Sequence, residues 1–373
     1  MQATENSGNP DLPRVAVTGA GGLVGSYLVK YLSARGYSVR AIVRAPGRPE
    51  HLIACIESAR RAKKDVDLKI GDVNDSASLL DTFRECQVVV HAAGNVDPYG
   101  SRDAIFKTNV EGTKTTLSAA RAAGCKQFIH LSSLSVITGQ GDQFDVNESA
   151  PLCYCGENYA DSKVATEEAL DIEIKTPGIN ITIVRPGFIY GPYEKTWMPR
   201  LIESIRTGKA ALIDGGKKET NVINVENLCR AIEGAMNNPA AFGQRYNLTD
   251  GQKISKKMLF DTMSEALKLP HVTRVVPSAV AKPFFNLVSL VAPMLPVETQ
   301  RKLARYSRAA YRLVGVNQGF SIAKAEKELS YTDRVPFAQG MKEALSTFSA
   351  NSGAIANGAQ GSRELGISRS SSN

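Results

Sequence analysis

Arg14-Val-Ala-Val-Thr-Gly-Ala-Gly-Gly-Leu-Val-Gly25 is the stretch that decides the architecture. It opens as a short β-branched run, of the kind that forms a buried strand, and passes at Thr18 into a glycine-rich turn. Gly19, Gly22 and Gly25 recur at every third position, and Leu23 and Val24 open a segment in which Val24, Leu28, Tyr31 and Leu32 fall at helical spacing before Gly36. Glycines so placed permit a tight turn, let the backbone approach a pyrophosphate and let the helix pack close to the strand. The helix N-terminus adds free N–H groups and the positive end of a dipole. Gly19, Gly22, Leu23, Val24 and Gly25 are therefore candidate contacts for a dinucleotide.

Further compact apolar runs follow at Ser38 to Val43, Val66 to Ile70, Gln87 to His91, Phe128 to Leu131 and Asn180 to Val184, separated by helical patterns. That alternation predicts an α/β fold, a doubly wound parallel sheet of six strands covered on both faces, over residues 14–185. Beyond Arg185 the rhythm changes. Helices are expected at Trp197 to Arg206, Val225 to Met236 and Lys256 to Leu267, with short strands near Val222 and Tyr246, so that 186–349 form mainly a smaller substrate-binding lobe from which part of the chain is free to return to the sheet. Residues 1–13 are read as a flexible start, and 350–373, rich in Ser, Gly, Ala and Asn, as a disordered tail.

Of the 373 residues 43% are hydrophobic and 22% charged, which excludes a disordered scaffold, and the net charge of +8 suits anionic ligands without choosing among them. The six cysteines contain no C-x-x-C pair and the four histidines lie far apart, so no metal site is expected. The polar start lacks a signal-type apolar segment, which points to the cytoplasm and reduced thiols.

At the end of the second run, a cofactor with a free ribose 2′-hydroxyl calls for Asp or Glu. The chain has Arg44 there, with Arg40 and Arg48 nearby, and a guanidinium pairs in bidentate fashion with a 2′-phosphate. NADP(H) is expected in preference to NAD(H). Asp72 and Val73, after the third run, are placed beside the adenine, and Ala92, Ala93 and Gly94, after the fourth, along the middle of the cofactor. Tyr159 and Lys163 set a phenol and an ammonium on one helix face, and Ser132 and Ser133 end the fifth run, where strand ends converge on the nicotinamide.

Together with Asn109-Val-Glu-Gly-Thr113, Arg185-Pro186-Gly187 and Tyr190-Gly191-Pro192, these motifs resemble the extended short-chain dehydrogenase/reductase family, within the NAD-dependent epimerase/dehydratase superfamily, over roughly Arg14 to Phe348. The resemblance implies a Rossmann-like domain. It also implies that Tyr159 is the acid/base, that Lys163 binds the nicotinamide ribose and lowers the Tyr159 pKa, that Ser133 rather than Ser132 bonds the substrate oxygen, that Asn109 supports a proton relay, and that Pro186 lies by the cofactor. Ser133 is followed by Leu134 and Ser135, not by the Asp-Glu pair typical of dehydratases. The segment Ser132 to Val136, Asn95 to Gly100 and the apolar, basic C-terminal lobe resemble the 3β-hydroxysteroid dehydrogenase branch, which implies interconversion of a ketone and a secondary alcohol on a steroid-like or long-chain 3-oxo substrate. A sugar-nucleotide epimerase or dehydratase and a non-catalytic NADP-binding regulator are the alternatives.

Between Arg274 and Arg312 an apolar, proline-interrupted run, Pro283 to Pro296, precedes Arg301, Arg305, Arg308 and Arg312, whose spacing makes one basic stripe on a helix. Seven basic residues there face only Glu298. The segment suits either peripheral contact with the inner membrane surface or a lobe whose arginines are simply solvated. A small apolar substrate is the expected partner, a homodimer stays open, and nucleic acid is not expected.

Overall fold

The structure, a computed structural model, describes residues 12–44, 49–97, 100–138, 141–296, 298–299, 303, 306 and 308–358. Residues 1–11, Arg48, Arg301, Lys302, Arg305 and 359–373, on which some of the expectations fall, lie outside the described residues.

The strands β1 (Arg14–Thr18), β2 (Ser38–Val43), β3 (Val66–Ile70), β4 (Val88–His91) and β5 (Gln127–Leu131) form within a residue of the expected bounds. Beyond a short β6 (Gln143–Val146), β7 (Asn180–Pro186) runs two residues further than its apolar core suggested. The second half supplies β8 (Phe188–Tyr190), β9 (Leu212–Ile213), β10 (Glu219–Thr220), β11 (Val222–Asn224) and β12 (Arg245–Leu248). The main sheet has seven strands in the order β12-β7-β5-β4-β1-β2-β3, all parallel. The seventh, β12, comes from the later half: Tyr246 and Leu248 are fully buried, so this strand completes the sheet rather than the lobe.

The order reverses between β1 and β4. In open parallel sheets the crevice outside that switch point receives the ligand, and Thr18-Gly19 and His91-Ala92 leave the sheet there. Helix α1 (Leu23–Ala34) buries Val24, Leu28, Val29 and Leu32 against this sheet, which fixes its N-terminus at the crevice. Helices α2 (Glu50–Arg61), α3 (Ser76–Phe83), α4 (Arg102–Phe106) and α5 (Gly112–Ala122) follow. Helix α6 (Asn158–Glu173) lies between β6 and β7.

The smaller lobe contains α7 (Met198–Arg206), α9 (Lys256–Leu267) and α10 (Ser278–Val291), whereas α8 (Val225–Ala235), expected in that lobe, packs Leu228, Ala231 and Ile232 into the main-sheet core and bonds α1 through Glu233; α7, α8 and α9 lie close to the expected bounds. The core of the lobe joins Tyr190, Met198, Ile202, Phe260 and Met263 to Phe337 and Met341 of a long last helix. That helix, Phe337–Gly358, continues past residue 350, where a tail was expected. Ala350, Ala354 and Ala356, which favour helix, sit among the Ser, Gly and Asn.

Candidate active site

Two glycines are fixed by close approach. Gly19 has φ of +66°, and a Cβ on it would stand 2.7 Å from the Ala93 backbone. A Cβ on Gly25 would stand 2.2 Å from the Gly19 carbonyl oxygen. Helix α1 therefore starts hard against the turn, at Gly22, with no side-chain cap and no acidic residue in its first turn. Its leading N–H groups are left to a ligand, and the positive helix end meets no protein carboxylate. The Thr18 hydroxyl bonds His91 Nδ1 at 2.9 Å, and His91 Nε2 bonds the Thr113 hydroxyl at 3.1 Å, so the ends of β1 and β4 are clamped to α5 beneath the crevice. Burial pushes the His91 pKa down to about 3, leaving the ring neutral and structural.

Arg44 follows β2 directly and is exposed, with no ion pair among the described residues. Arg40 does not assist it. Its guanidinium is buried, pairs with Asp67 at 2.9 Å and donates to the carbonyls of Thr82 and Arg84, because β2 turns this residue toward α3. Asp72 accepts from the Asn74 N–H at 2.9 Å, shaping the turn that presents Val73 to Gly112.

The chain through Asn109 departs from a regular helix: Lys107–Glu111 is a π-helical turn between α4 and α5. Such turns recur at functional sites because they redirect one side chain without ending the helix. Asn109 is buried; its Oδ1 accepts from the Asn95 N–H at 2.7 Å, and its Nδ2 donates to the Asn95 carbonyl and to Ser162 Oγ. A Cβ on Gly94 would lie 3.4 Å from Asn109 Oδ1 and 3.8 Å from Lys163 Nζ, so Gly94, Asn109 and Lys163 meet at one point. Ala92 and Ala93 lead into it from β4.

The adjacent serines part company. Ser132 is buried and donates to Glu167 Oε1 at 2.5 Å. Glu167 in turn is held by Arg185 through Nε at 2.9 Å and Nη2 at 2.6 Å, with both side chains buried. Ser133 begins the 3₁₀ turn Leu134–Val136, where its Oγ accepts from the Ser135 N–H, and its hydroxyl is also the hydrogen-bonding group that reaches Tyr159. Burial raises the Tyr159 pKa, opposed only by the Ser133 bond. The expected lowering by Lys163 does not prevail in the protein alone. Lys163 is itself buried, donates to the Leu131 carbonyl at 2.7 Å, and has its pKa pushed down to about 8 by desolvation, with Glu167 pulling the other way.

Sequence reading passed over two contributors. Glu167 continues the four-residue ladder Tyr159, Lys163, Glu167 on α6, a spacing that was available to find it. Arg312 was placed on a basic stripe, facing either a membrane surface or solvent, yet it is largely buried and ion-paired with Glu157, the residue that precedes α6. No local pattern links positions so far apart. Pro186 ends β7 and is buried, and a Cβ on the next residue, Gly187, would overlap the Asn221 carbonyl. All six cysteines are free thiols. Among the described residues no group of His, Cys, Asp and Glu is placed to hold a metal, and no helix is long and apolar enough to cross a membrane.

The glycine cradle, the uncapped helix end and the Gly94, Asn109, Lys163 junction fit a nicotinamide dinucleotide. Comparison with known proteins agrees with that chemistry. The chain is 29% identical over 348 residues to a 4-hydroxy-2-methyl-3-oxo-4-farnesyl-3,4-dihydroquinoline-1-oxide ketoreductase of Stigmatella aurantiaca, covering 92% of this chain and 98% of that protein. It is 27% identical to a 3-beta-hydroxysteroid dehydrogenase of Mycolicibacterium neoaurum, covering 90% and 91%. A UDP-glucose 4-epimerase from Thermotoga maritima, solved with UDP-glucose, shares the fold at a TM-score of 0.70 and 19% identity, covering 91% of this chain and 99% of that one. The NAD dependent epimerase/dehydratase family matches residues 15–249, more than half of the chain, and the protein is a member of that family, with the extended short-chain dehydrogenase/reductase fold.

Proposed function

We propose that the protein is a ketoreductase that uses NADPH to reduce a ketone on an apolar substrate, with Tyr159 as the acid. The observation that carries this is geometric: Tyr159 stands on the α6 face that also holds Lys163, with Ser133 as its hydrogen-bonding neighbour, and desolvation raises the pKa of the phenol. A neutral phenol is the form that reduction needs, since the oxygen of the carbonyl must gain a proton. The nicotinamide, when bound, supplies the hydride. Gly19, Gly22, Leu23, Val24 and Gly25 would hold its phosphates and Lys163 its ribose, while Asn109, bonded to Asn95 and Ser162, would support the proton relay. Tyr159 releases its proton to the substrate oxygen, which Ser133 orients, and the cation at Lys163 favours the phenolate left behind.

Exposed Arg44, standing where an acid would accept from ribose hydroxyls, supports NADPH over NADH. The apolar substrate is supported by the names of the two relatives, one acting on a farnesylated quinoline oxide and one on a hydroxysteroid. The test is loss of NADPH absorbance with a panel of long-chain and polycyclic ketones, with UDP-sugars in parallel. Tyr159→Phe is expected to lower turnover by about 10² to 10⁴ and to leave NADPH binding intact. Turnover of UDP-sugars alone, or wild-type rates in Tyr159→Phe, refutes the reading.

A further inference from the structure

We propose that His91 is a positioning residue for the reduction, fixing the turn that carries Asn109 through a chain of hydrogen bonds in which each proton has one place to go. The inference rests on the reductase reading and on the part Asn109 takes in it. The chain can be followed link by link. Thr113 Oγ1 stands 2.6 Å from the Asn109 carbonyl, and a carbonyl only accepts, so the single hydroxyl proton of Thr113 is spent there. His91 Nε2, 3.1 Å from the same hydroxyl, must then donate to it. Burial keeps the ring neutral, so a protonated Nε2 leaves Nδ1 bare, and Nδ1 accepts from the Thr18 hydroxyl at 2.9 Å. With its proton used, the Thr18 oxygen accepts from the Ala93 N–H at 3.4 Å.

Beyond Asn109 the chain continues toward the phenol. Asn109 Nδ2 donates to Ser162 Oγ at 2.9 Å, and the Ser162 hydroxyl donates to the Tyr159 carbonyl at 2.7 Å. The main chain of Asn109 is thus held from the sheet and its amide from Asn95 and α6. Thr166 Oγ1 lies 3.1 Å from the Asn109 carbonyl but 2.7 Å from that of Ser162, so it does not stand in for Thr113. Thr18, His91, Thr113, Asn109 and Ser162 are all buried, where a polar group that loses its partner is costly, so breaking one link disturbs the next.

The neighbouring ring separates this role from packing. His130 faces His91 in the register of β5 on β4, is equally buried, and stacks on it with ring centres 5.6 Å apart. Neither of its nitrogens has a hydrogen-bond partner among the described residues. Bulk and stacking are common to both rings, and of the two only His91 carries the chain.

The experiment has one arm without substrate. Nitrogen-15 NMR of the ring, assigned by the signal lost in His91→Phe, is expected to show the Nε2–H form and no titration between about pH 5 and 8. The Nδ1–H form, or a ring that titrates in that range, overturns the proposal. The second arm is turnover of NADPH with a ketone that the wild type reduces. His91→Phe keeps the stacking and loses the chain, and Thr113→Val removes one hydroxyl at nearly constant volume. Each is expected to lower kcat about tenfold, with the Kd for NADPH moving less than about twofold in Thr113→Val, and Thr113→Ser is expected to recover most of the loss. In an Asn109→Ala background neither substitution is expected to lower kcat further, because His91 acts through Asn109. Losses that multiply in that background, or an equal loss from His130→Phe, overturn the proposal and leave His91 a packing residue. A wild type that reduces no ketone refutes the reductase reading and this role with it, a failure told apart from that of the chain because the ring is read without turnover.

Discussion

Replacing Lys163 with methionine is expected to make the protein more stable and inactive. The ammonium is buried on α6 and has its pKa pushed down from 10.5 to about 8, chiefly by desolvation. At about 1.4 kcal/mol per unit, holding the charge inside costs the fold on the order of 3 kcal/mol at neutral pH. Methionine fills a similar volume without charge but leaves the Leu131 carbonyl, now 2.7 Å from Nζ, without that donor, a loss of about 1–2 kcal/mol. The net expectation is a gain of about 1–2 kcal/mol at pH 7. The sign of the pH dependence follows from the shift. The unfolded chain keeps the Lys163 proton up to its ordinary pKa while the folded chain sheds it near 8, so wild-type stability rises between the two values. The advantage of methionine must therefore be largest at neutral pH and shrink as pH climbs through that window. Urea unfolding of both proteins at neutral and alkaline pH, without cofactor, measures it. Saturating NADPH should then stabilise the wild type more than the variant, since binding to the native state alone adds to its stability. A methionine variant less stable than wild type at neutral pH, or an advantage that grows with pH, refutes the reasoning.

Arg44→Asp is expected to weaken NADPH binding by tenfold or more and to strengthen NADH binding, read by titrating both cofactors; unchanged affinity for both removes Arg44 from the site. Glu167→Gln leaves the buried guanidinium of Arg185 without its countercharge and is expected to destabilise the fold by about 3–5 kcal/mol, read as a drop in urea midpoint. Gly25→Ala places a methyl 2.2 Å from the Gly19 carbonyl, so the turn must shift; a loss of about 1–3 kcal/mol is expected, with weaker cofactor binding by fluorescence titration.

What was legible in the sequence is what depends on neighbours along the chain. Strands β1 to β5 and α1 could be read because a buried parallel strand is a short apolar run and a crossover helix carries its own spacing. The glycine loop could be read because close approach admits no other residue at Gly19 and Gly25. Long-range pairing was less accessible. Arg40 and Arg44 look alike in sequence, and only the register of β2 on β3, which sets Arg40 opposite Asp67, separates a structural guanidinium from an exposed one with no ion pair among the described residues. Arg312 fitted a basic stripe by spacing, but its partner Glu157 lies on a different element. The π turn at Lys107–Glu111 has no signature in residue type, since it is set by what Asn109 bonds on Asn95 and Ser162.

Ser132 and Ser133 show how the reactive end of α6 is aimed. One partner, Tyr159, stands at the start of the helix and the other, Glu167, eight residues later, which is about 12 Å along the axis. Neighbouring residues at a strand end point to opposite sides, so the two serines reach these separate places from almost the same spot. The Ser132 bond ties Glu167 to the end of β5, and Arg185 ties the same carboxylate to β7, so the middle of α6 is pinned to two adjacent strands of the sheet. With its middle fixed, a helix behaves as a short stiff lever, and Tyr159 and Lys163 can only be where that lever points. Loss of Ser132 should therefore act through placement, raising the turnover cost in step with lost stability, whereas loss of Ser133 should cut turnover with the fold intact. The difference between those two neighbouring variants measures how much of the catalysis is chemistry and how much is aim.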